Sequence, residues 1–168
     1  MQKIVPSLWF DKNAEEAAEF YCSIFNNSKI GIIMRYGKSG SEVSGMPEGS
    51  VMTIEWGIEG YRFIGINGEP IFKLNPSMSF ILNFDPSQRK DAEKELDRIW
   101  EKLSEGGQAL MPLQEYPFSK RYGWIQDKFE VSWQLMLTNP GGEERPFIIP
   151  SLMFTQNIVG KCEEAINF

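Results

Sequence analysis

Pro6-Ser7-Leu8-Trp9-Phe10 returns almost unchanged as Pro150-Ser151-Leu152-Met153-Phe154, and this echo decides how the chain divides. Asn13 is matched by Asn157 at the same offset of 144 residues (6 to 150). Glu15-Glu16-Ala17-Ala18-Glu19-Phe20 is matched by Glu163-Glu164-Ala165-Ile166-Asn167-Phe168 at an offset of 148 (15 to 163). A match of this length and order defines a unit of about 145 residues, a usual size for one domain. Residues 1–140 are therefore read as one domain. Residues 141–168 are read as a linker followed by the first strand and helix of a partial second copy.

Outward from the first copy, Ile4 to Phe10 reads as a buried strand. Asn13 stands where a helix cap is expected, with Glu16 three residues on as in a capping box. Ala14, Ala17, Ala18, Tyr21, Ile24 and Phe25 recur at the helical period and form one apolar stripe. A strand over Lys29 to Tyr36 follows, and then a Gly/Ser-rich stretch from Gly37 to Ser50 that reads as a long mobile loop. Val51 to Trp56 and Tyr61 to Ile66 are strands joined by a hairpin turn at Glu59-Gly60.

After a linker at residues 68–76 the order begins again. Ser77 to Phe84 is a strand, and Asp85-Pro86-Ser87 opens a helix with the stripe Ala92, Leu96, Ile99, Trp100 and Leu103. Gly106-Gly107 stops it. Ala109 to Leu113, Tyr122 to Gln126 and Val131 to Thr138 are the remaining strands. The chain thus reads as α+β, in two βαβββ modules over about residues 4–67 and 77–139. Two such modules predict a curved mixed sheet around a cleft with the helices outside. An α+β sandwich with a filled core fits the same pattern.

Bulk properties narrow the partners. Hydrophobic residues make up 42% and charged residues 24%, as in an ordinary globular domain. The net charge of −6 argues against nucleic acid, which draws on clustered Lys and Arg. No apolar run approaches a membrane span and no signal-peptide pattern opens the chain, so a cytoplasmic protein is expected. Cys22 and Cys162, both in expected helices, are read as free thiols. The chain has no histidine, which removes the commonest general base and metal ligand.

Several motifs, in order, resemble a known family. Leu8-Trp9-Phe10-Asp11, Asn13-Ala14-Glu15-Glu16-Ala17 and Phe20-Tyr21 are similar to its first strand and helix. Asn67-Gly68, Pro70, Phe72-Lys73 and Ser79-Phe80 are similar to its inter-module linker. Gly123-Trp124-Ile125-Gln126-Asp127-Lys128-Phe129 and Val131-Ser132-Trp133-Gln134 are similar to its closing hairpin. The family is the PhnB-like, 3-demethylubiquinone-9 3-methyltransferase-like branch of the glyoxalase/bleomycin resistance (vicinal oxygen chelate) superfamily. The resemblance spans about residues 4–139. It implies paired βαβββ modules and a homodimer.

In metal-dependent relatives, four inward positions on the first and last strands of each module hold the ion. Carried over, these fall at Pro6 or Ser7, Ile64 or Gly65, Met78 or Ser79, and Gln134. Only Gln134 offers a ligand, with Glu55 as a candidate on a shifted alignment. A neutral amide alone does not hold a divalent ion against water, so no metal is expected. No cofactor is expected either. A Rossmann-type methyltransferase needs a Gly-rich turn after its first strand, and Phe10-Asp11-Lys12-Asn13 stands there instead. Glu130 replaces the glycine that the family motif places after Asp-Lys-Phe, where a positive φ is expected.

The resemblance and the aromatics together nominate Trp9, Phe63, Asn67, Phe72, Lys73, Trp124 and Gln134 as ligand-binding residues, with no catalytic residue assigned. Phe10 and Trp133 belong to the same aromatic set, and all of these rings could equally fill a core. Three functions remain open: a metal-independent protein binding a small apolar or aromatic molecule, an enzyme of unassigned chemistry, and a dimerisation scaffold. Residues 147–168 are expected to be disordered, or to pack an apolar strand onto their own domain or a neighbouring chain.

Overall fold

The computed structural model describes residues 2–167 and divides into two compact units, with the boundary between Leu74 and Asn75. It is an α+β protein with one mixed sheet in each unit, as the alternating pattern predicts.

The first unit runs β1 (Ser7–Phe10), α1 (Ala14–Ile24), β2 (Ser28–Arg35), α2 (Lys38–Ser44), β3 (Val51–Ile58) and β4 (Tyr61–Asn67). Its sheet has the order β1-β4-β3-β2. Only the β1–β4 pair is parallel. The β3–β4 hairpin turns at Glu59 and Gly60, both with positive φ (48° and 83°), a two-residue turn whose twist matches the strands.

The stripe Ala14, Ala17, Ala18, Tyr21 and Ile24 is buried, as its spacing requires. It lies on one face of the sheet, where Tyr21 stacks on Trp56 at 5.7 Å and Trp56 on Phe63 at 5.3 Å. Gly65 belongs to this face: a Cβ there would stand 3.0 Å from the Ala14 Cβ. The expected capping box does not form. Asn13 makes no side-chain cap bond, and Asn67 at the end of β4 accepts the Ala14 N–H at 2.9 Å instead. The stretch expected as a mobile loop contains α2, ended by Gly45 in the left-handed region, and buries Met46.

The second unit runs β5 (Met78–Phe84), α3 (Ala92–Ser104), β6 (Gln108–Tyr116), β7 (Ser119–Gln126), β8 (Ser132–Leu137) and β9 (Ile148–Leu152). A 3-10 turn at Gln156–Ile158 and α4 (Cys162–Ile166) follow. The sheet order is β6-β7-β8-β5-β9. β5 pairs parallel with β8 and antiparallel with β9.

α3 begins later than Asp85-Pro86-Ser87 suggests. Asp85 instead closes a turn by accepting the Ser87 N–H and hydroxyl at 2.8 and 2.7 Å, and Asp91 stands at the helix cap. Short acceptors favour such local turns over helix entry. Leu96, Ile99 and Leu103 are fully buried against the face that carries Phe80, Leu82, Phe84, Trp133 and Leu135. Each burial contributes on the order of 2 kcal/mol. Trp100 presses on Gly123 so closely that a Cβ there would lie 2.4 Å from its ring.

The β7–β8 connection is organised by Asp127, which is buried. Its Oδ1 accepts the N–H groups of Phe129 and Val131 at 2.8 and 3.0 Å, and its Oδ2 accepts the Trp133 indole N–H at 2.8 Å. That web holds Glu130 at φ 66°, so the glutamate adopts the strained turn its position implies.

Candidate functional site

In each unit the helix covers one face of the sheet, and the residues between the buried ones alternate onto the other. In the second unit that other face carries Tyr122, Trp124 and Gln126 of β7. Ser132, Gln134 and Met136 of β8 stand beside them, and Ser79, Ile81 and Asn83 of β5 complete the row. Trp124 stands directly opposite Gln134, and Gln134 opposite Ile81.

A polar chain crosses the three strands on this face. The Tyr122 hydroxyl donates to Gln134 Oε1 at 2.6 Å, and Gln134 Nε2 donates to Ser79 Oγ at 2.8 Å. Both are diagonal contacts between neighbouring strands. The Trp124 indole donates to Ser132 Oγ at 2.7 Å, which fixes its ring plane. Burial, and after it the neighbouring Tyr116, push the Tyr122 hydroxyl up to about 12. The phenol therefore stays protonated at neutral pH and serves as a donor, not as a base.

Tyr122 is also the centre of an aromatic cluster. Tyr116 and Phe118 meet it edge-on, with ring centroids at 5.6 and 5.0 Å, and stack on each other at 5.7 Å. Beside the cluster lies a cavity of about 120 Å³ lined by Phe118, Met136, Leu137, Thr138, Asn139, Gly142, Glu143 and Arg145. Asn83, opposite Met136 and 4% exposed, keeps a buried Oδ1 with no hydrogen-bond partner. A buried acceptor left open in this way is rare in folded proteins.

The nominated residues fall into separate groups. Trp124 and Gln134 are brought together on the second sheet. Trp9 and Phe72 are brought together in the first unit, edge to face at 5.3 Å, with the Trp9 indole donating to the Glu69 carbonyl at 2.9 Å. Gly68 lies beneath Trp9, where a Cβ would stand 2.2 Å from its ring. Lys73 is exposed. Phe63 lies in the first unit's core beneath α1, stacked on Trp56, and Phe10 and Trp133 are buried likewise. Asn67 is buried too, held by Ala14 and by its Nδ2 donating to the Val51 carbonyl at 3.0 Å.

Sequence reasoning did not single out Tyr122, Tyr116 or Asn83. The available signal was the two-residue spacing of Tyr122 and Trp124, which puts both on one face of a strand. Ser79 enters the sequence reading as part of the linker motif and as a carried-over metal position, and its bond to Gln134 joins two strands that are far apart in sequence.

The donor set at the four carried-over positions does not fit a divalent ion. Pro6, Ile64, Gly65 and Met78 offer no anionic ligand. The Gln134 amide is engaged at both ends, and Ser79 receives one of those bonds. Glu55 pairs with Arg62 at 2.9 Å. Among the described residues no three His, Cys, Asp or Glu side chains gather at one place. The mixed antiparallel sheets also lack the parallel, doubly wound order that a Rossmann cofactor site requires.

Comparisons with known proteins agree with this architecture. The profile of the 3-demethylubiquinone-9 3-methyltransferase family matches residues 2–136. A putative 3-demethylubiquinone-9 3-methyltransferase, the PhnB protein of Bacillus cereus, is 39% identical, with a TM-score of 0.71 over 82% of this chain and 100% of that one. The PA1353 protein of Pseudomonas aeruginosa is 21% identical, with a TM-score of 0.61 over 82% and 98%. A mutant of the fosfomycin resistance protein FosX of Listeria monocytogenes, solved with Mn(II) and a dihydroxypropylphosphonic acid, shares the fold at 11% identity. Its TM-score is 0.54 over 83% and 95% of the two chains. No curated protein matches. No helix among the described residues is long and apolar enough to cross a membrane. With its two βαβββ sheets and a family match over residues 2–136, the chain belongs to the 3-demethylubiquinone-9 3-methyltransferase (PhnB-like) family and has the glyoxalase/bleomycin resistance fold.

Proposed function

We propose that this protein binds a small apolar or aromatic molecule without a metal, on the helix-free face of its second sheet. The observation that carries the reading is the Tyr122–Gln134–Ser79 chain, set between Trp124 and the Tyr116–Phe118 pair. Flat rings offer stacking area, and a few fixed polar groups set orientation. The cavity of about 120 Å³ is lined by Phe118 and Met136 but not by the polar chain itself, and it gives room for one small ring beside that chain. No carboxylate joins the polar chain and Tyr122 is held protonated, so the site favours binding over acid–base chemistry.

Trp9 and Phe72 form a second aromatic pair that we include in the ligand-binding set, with Lys73 exposed in the segment that follows. We take the working form to be a homodimer in the cytoplasm. Support comes from the edge strand β2, which exposes Ile30, Ile32, Ile33 and Met34, and from the two free thiols.

The test is a tryptophan-fluorescence titration with planar aromatic metabolites, run beside thermal shifts with Mn²⁺, Ni²⁺ and Zn²⁺. Binding is expected to disappear in Trp124→Ala and to weaken about tenfold in Gln134→Ala, or about 1.4 kcal/mol. A metal-induced rise in melting temperature that is lost in Gln134→Ala would overturn the metal-independent reading. Light-scattering mass in solution tests the dimer.

A further inference from the structure

The repeated Pro-Ser-Leu segment occupies two different places in the fold. Its first copy is β1, the outer strand of the first sheet, parallel to β4. Its second copy is β9, the outer strand of the second sheet, antiparallel to β5. Hydrogen bonds at the strand ends fix which backbone groups point where.

The Pro6 and Phe10 carbonyls accept the N–H groups of Ile64 and Gly68, so even-numbered residues of β1 face β4. Ser7 and Trp9 must then direct their N–H and C=O groups to the sheet's outer edge. In β9 the Phe147 carbonyl accepts the Asn83 N–H, and the Met153 N–H donates to the Ser77 carbonyl. Odd-numbered residues, Ile149 and Ser151 among them, therefore face β5. The offset of 144 maps Ser151 onto Ser7 and Met153 onto Trp9. The edge that β1 leaves outermost is thus the same edge, in the same sequence, with which β9 grips β5.

β9 is paired along its length, but its side chains are packed unevenly. Its inner end is anchored by Ile148, 3% exposed, by Phe147 edge-on to Phe84 at 5.3 Å, and by the Pro146 carbonyl accepting from Asn83. At its outer end the Met153 N–H still bonds the Ser77 carbonyl at 2.7 Å, but the side chains there bury little. Leu152 is 65% exposed where its counterpart Leu8 is 3%, because α4, the echo of α1, buries no residue. A space of about 580 Å³ opens beside Ser77, Met153 and Asn157. The family match stops at residue 136, before this strand.

We propose that β9 is a replaceable copy of β1. Its release opens β5 to strand β1 of a second copy of this chain, which pairs antiparallel in the register β9 now uses, Ser7 opposite Ser79. There is one β5 edge per chain and two strands fit it, so β9 keeps a further chain off this edge and its departure admits one.

The test uses the full chain. Ile149→Pro with Ser151→Pro removes two of the three N–H groups directed at β5, leaving that of Met153. Light-scattering mass across a dilution series is expected to double relative to the parent chain, whatever the parent's own state. Adding Ser7→Pro, which removes an outward N–H of β1 but none that faces β4, is expected to abolish the doubling. Unchanged mass overturns the proposal, and so does a doubling that survives Ser7→Pro. A Ser7 amide that gains hydrogen-exchange protection without a change in mass places β1 on its own chain and overturns the second-copy assignment.

A reversible lock guards against misfolding of the proline variant. Met78→Cys and Leu152→Cys, in a Cys162→Ser background, face each other at a non-hydrogen-bonded position of the β5–β9 pair. The oxidised form is expected to hold the parent mass on mild warming, and the reduced form to gain the doubled species. Equal behaviour of the two forms overturns the proposal.

Discussion

Asn67 caps a helix that begins 53 residues before it: its Oδ1 accepts the Ala14 N–H at 2.9 Å while its Nδ2 donates to the Val51 carbonyl at 3.0 Å. One buried amide therefore ties the start of α1, the start of β3 and the end of β4 into one joint. Asn67→Ala leaves a donor and an acceptor buried without partners. It is expected to cost about 2–3 kcal/mol, read as a fall in the urea midpoint. A loss below about 0.5 kcal/mol would show that the joint is not needed.

Glu130 sits at φ 66° in the turn that Asp127 organises. A side chain in the left-handed region is strained, and glycine relieves the strain while adding some freedom to the unfolded chain. Glu130→Gly is expected to stabilise the protein by about 0.5–1 kcal/mol in chemical denaturation. Destabilisation would mean that the glutamate side chain contributes more than its backbone costs.

Tyr122 gives the protein an alkaline signature. Its folded pKa of about 12 lies above the ordinary value of 10.0 because burial disfavours the phenolate. Between those two values the unfolded chain releases a proton that the folded chain keeps, so stability falls as pH rises through that window. Below it the group has no effect. In Tyr122→Phe this part of the alkaline loss is expected to vanish, along with one tyrosinate in an absorbance titration near pH 12. An unchanged titration would show that the hydroxyl is not the buried donor to Gln134.

Gly123 and Trp100 form a contact that a methyl group cannot enter, since a Cβ would stand 2.4 Å from the indole. Gly123→Ala is expected to cost about 1–3 kcal/mol by forcing the ring off α3's seat on the sheet. In a Trp100→Ala background the same change is expected to cost much less. Additive losses would place the strain elsewhere.

The sequence made the repeat and the βαβββ order legible because strands and helices announce themselves through local periodicity. The stripes Ala14–Tyr21 and Leu96–Leu103 are buried as their spacing requires. What it missed was long-range partnership. Asn13 reads as a cap and Asn67 does the capping. Asp85 reads as a helix start and makes a turn, because nothing local separates those two uses of an aspartate. The site was legible only in part. Trp124 and Gln134 face each other, but the Tyr122–Gln134–Ser79 chain joins three strands whose register a sequence does not reveal. Phe63 and Trp133 show the matching difficulty: alternation gives two faces, and only the position of a helix says which is the core.

The proline shared by both copies of the repeat has a consequence for colloidal behaviour. In β9 the even-numbered residues look away from β5, so the edge exposed to water is the one at which Pro150 has no N–H to offer. A strand reaching for that edge finds a gap in the ladder, and stacking of sheet on sheet into fibrils is disfavoured there. β9 thus closes β5 with an edge that resists extension, which makes this strand a guard against aggregation.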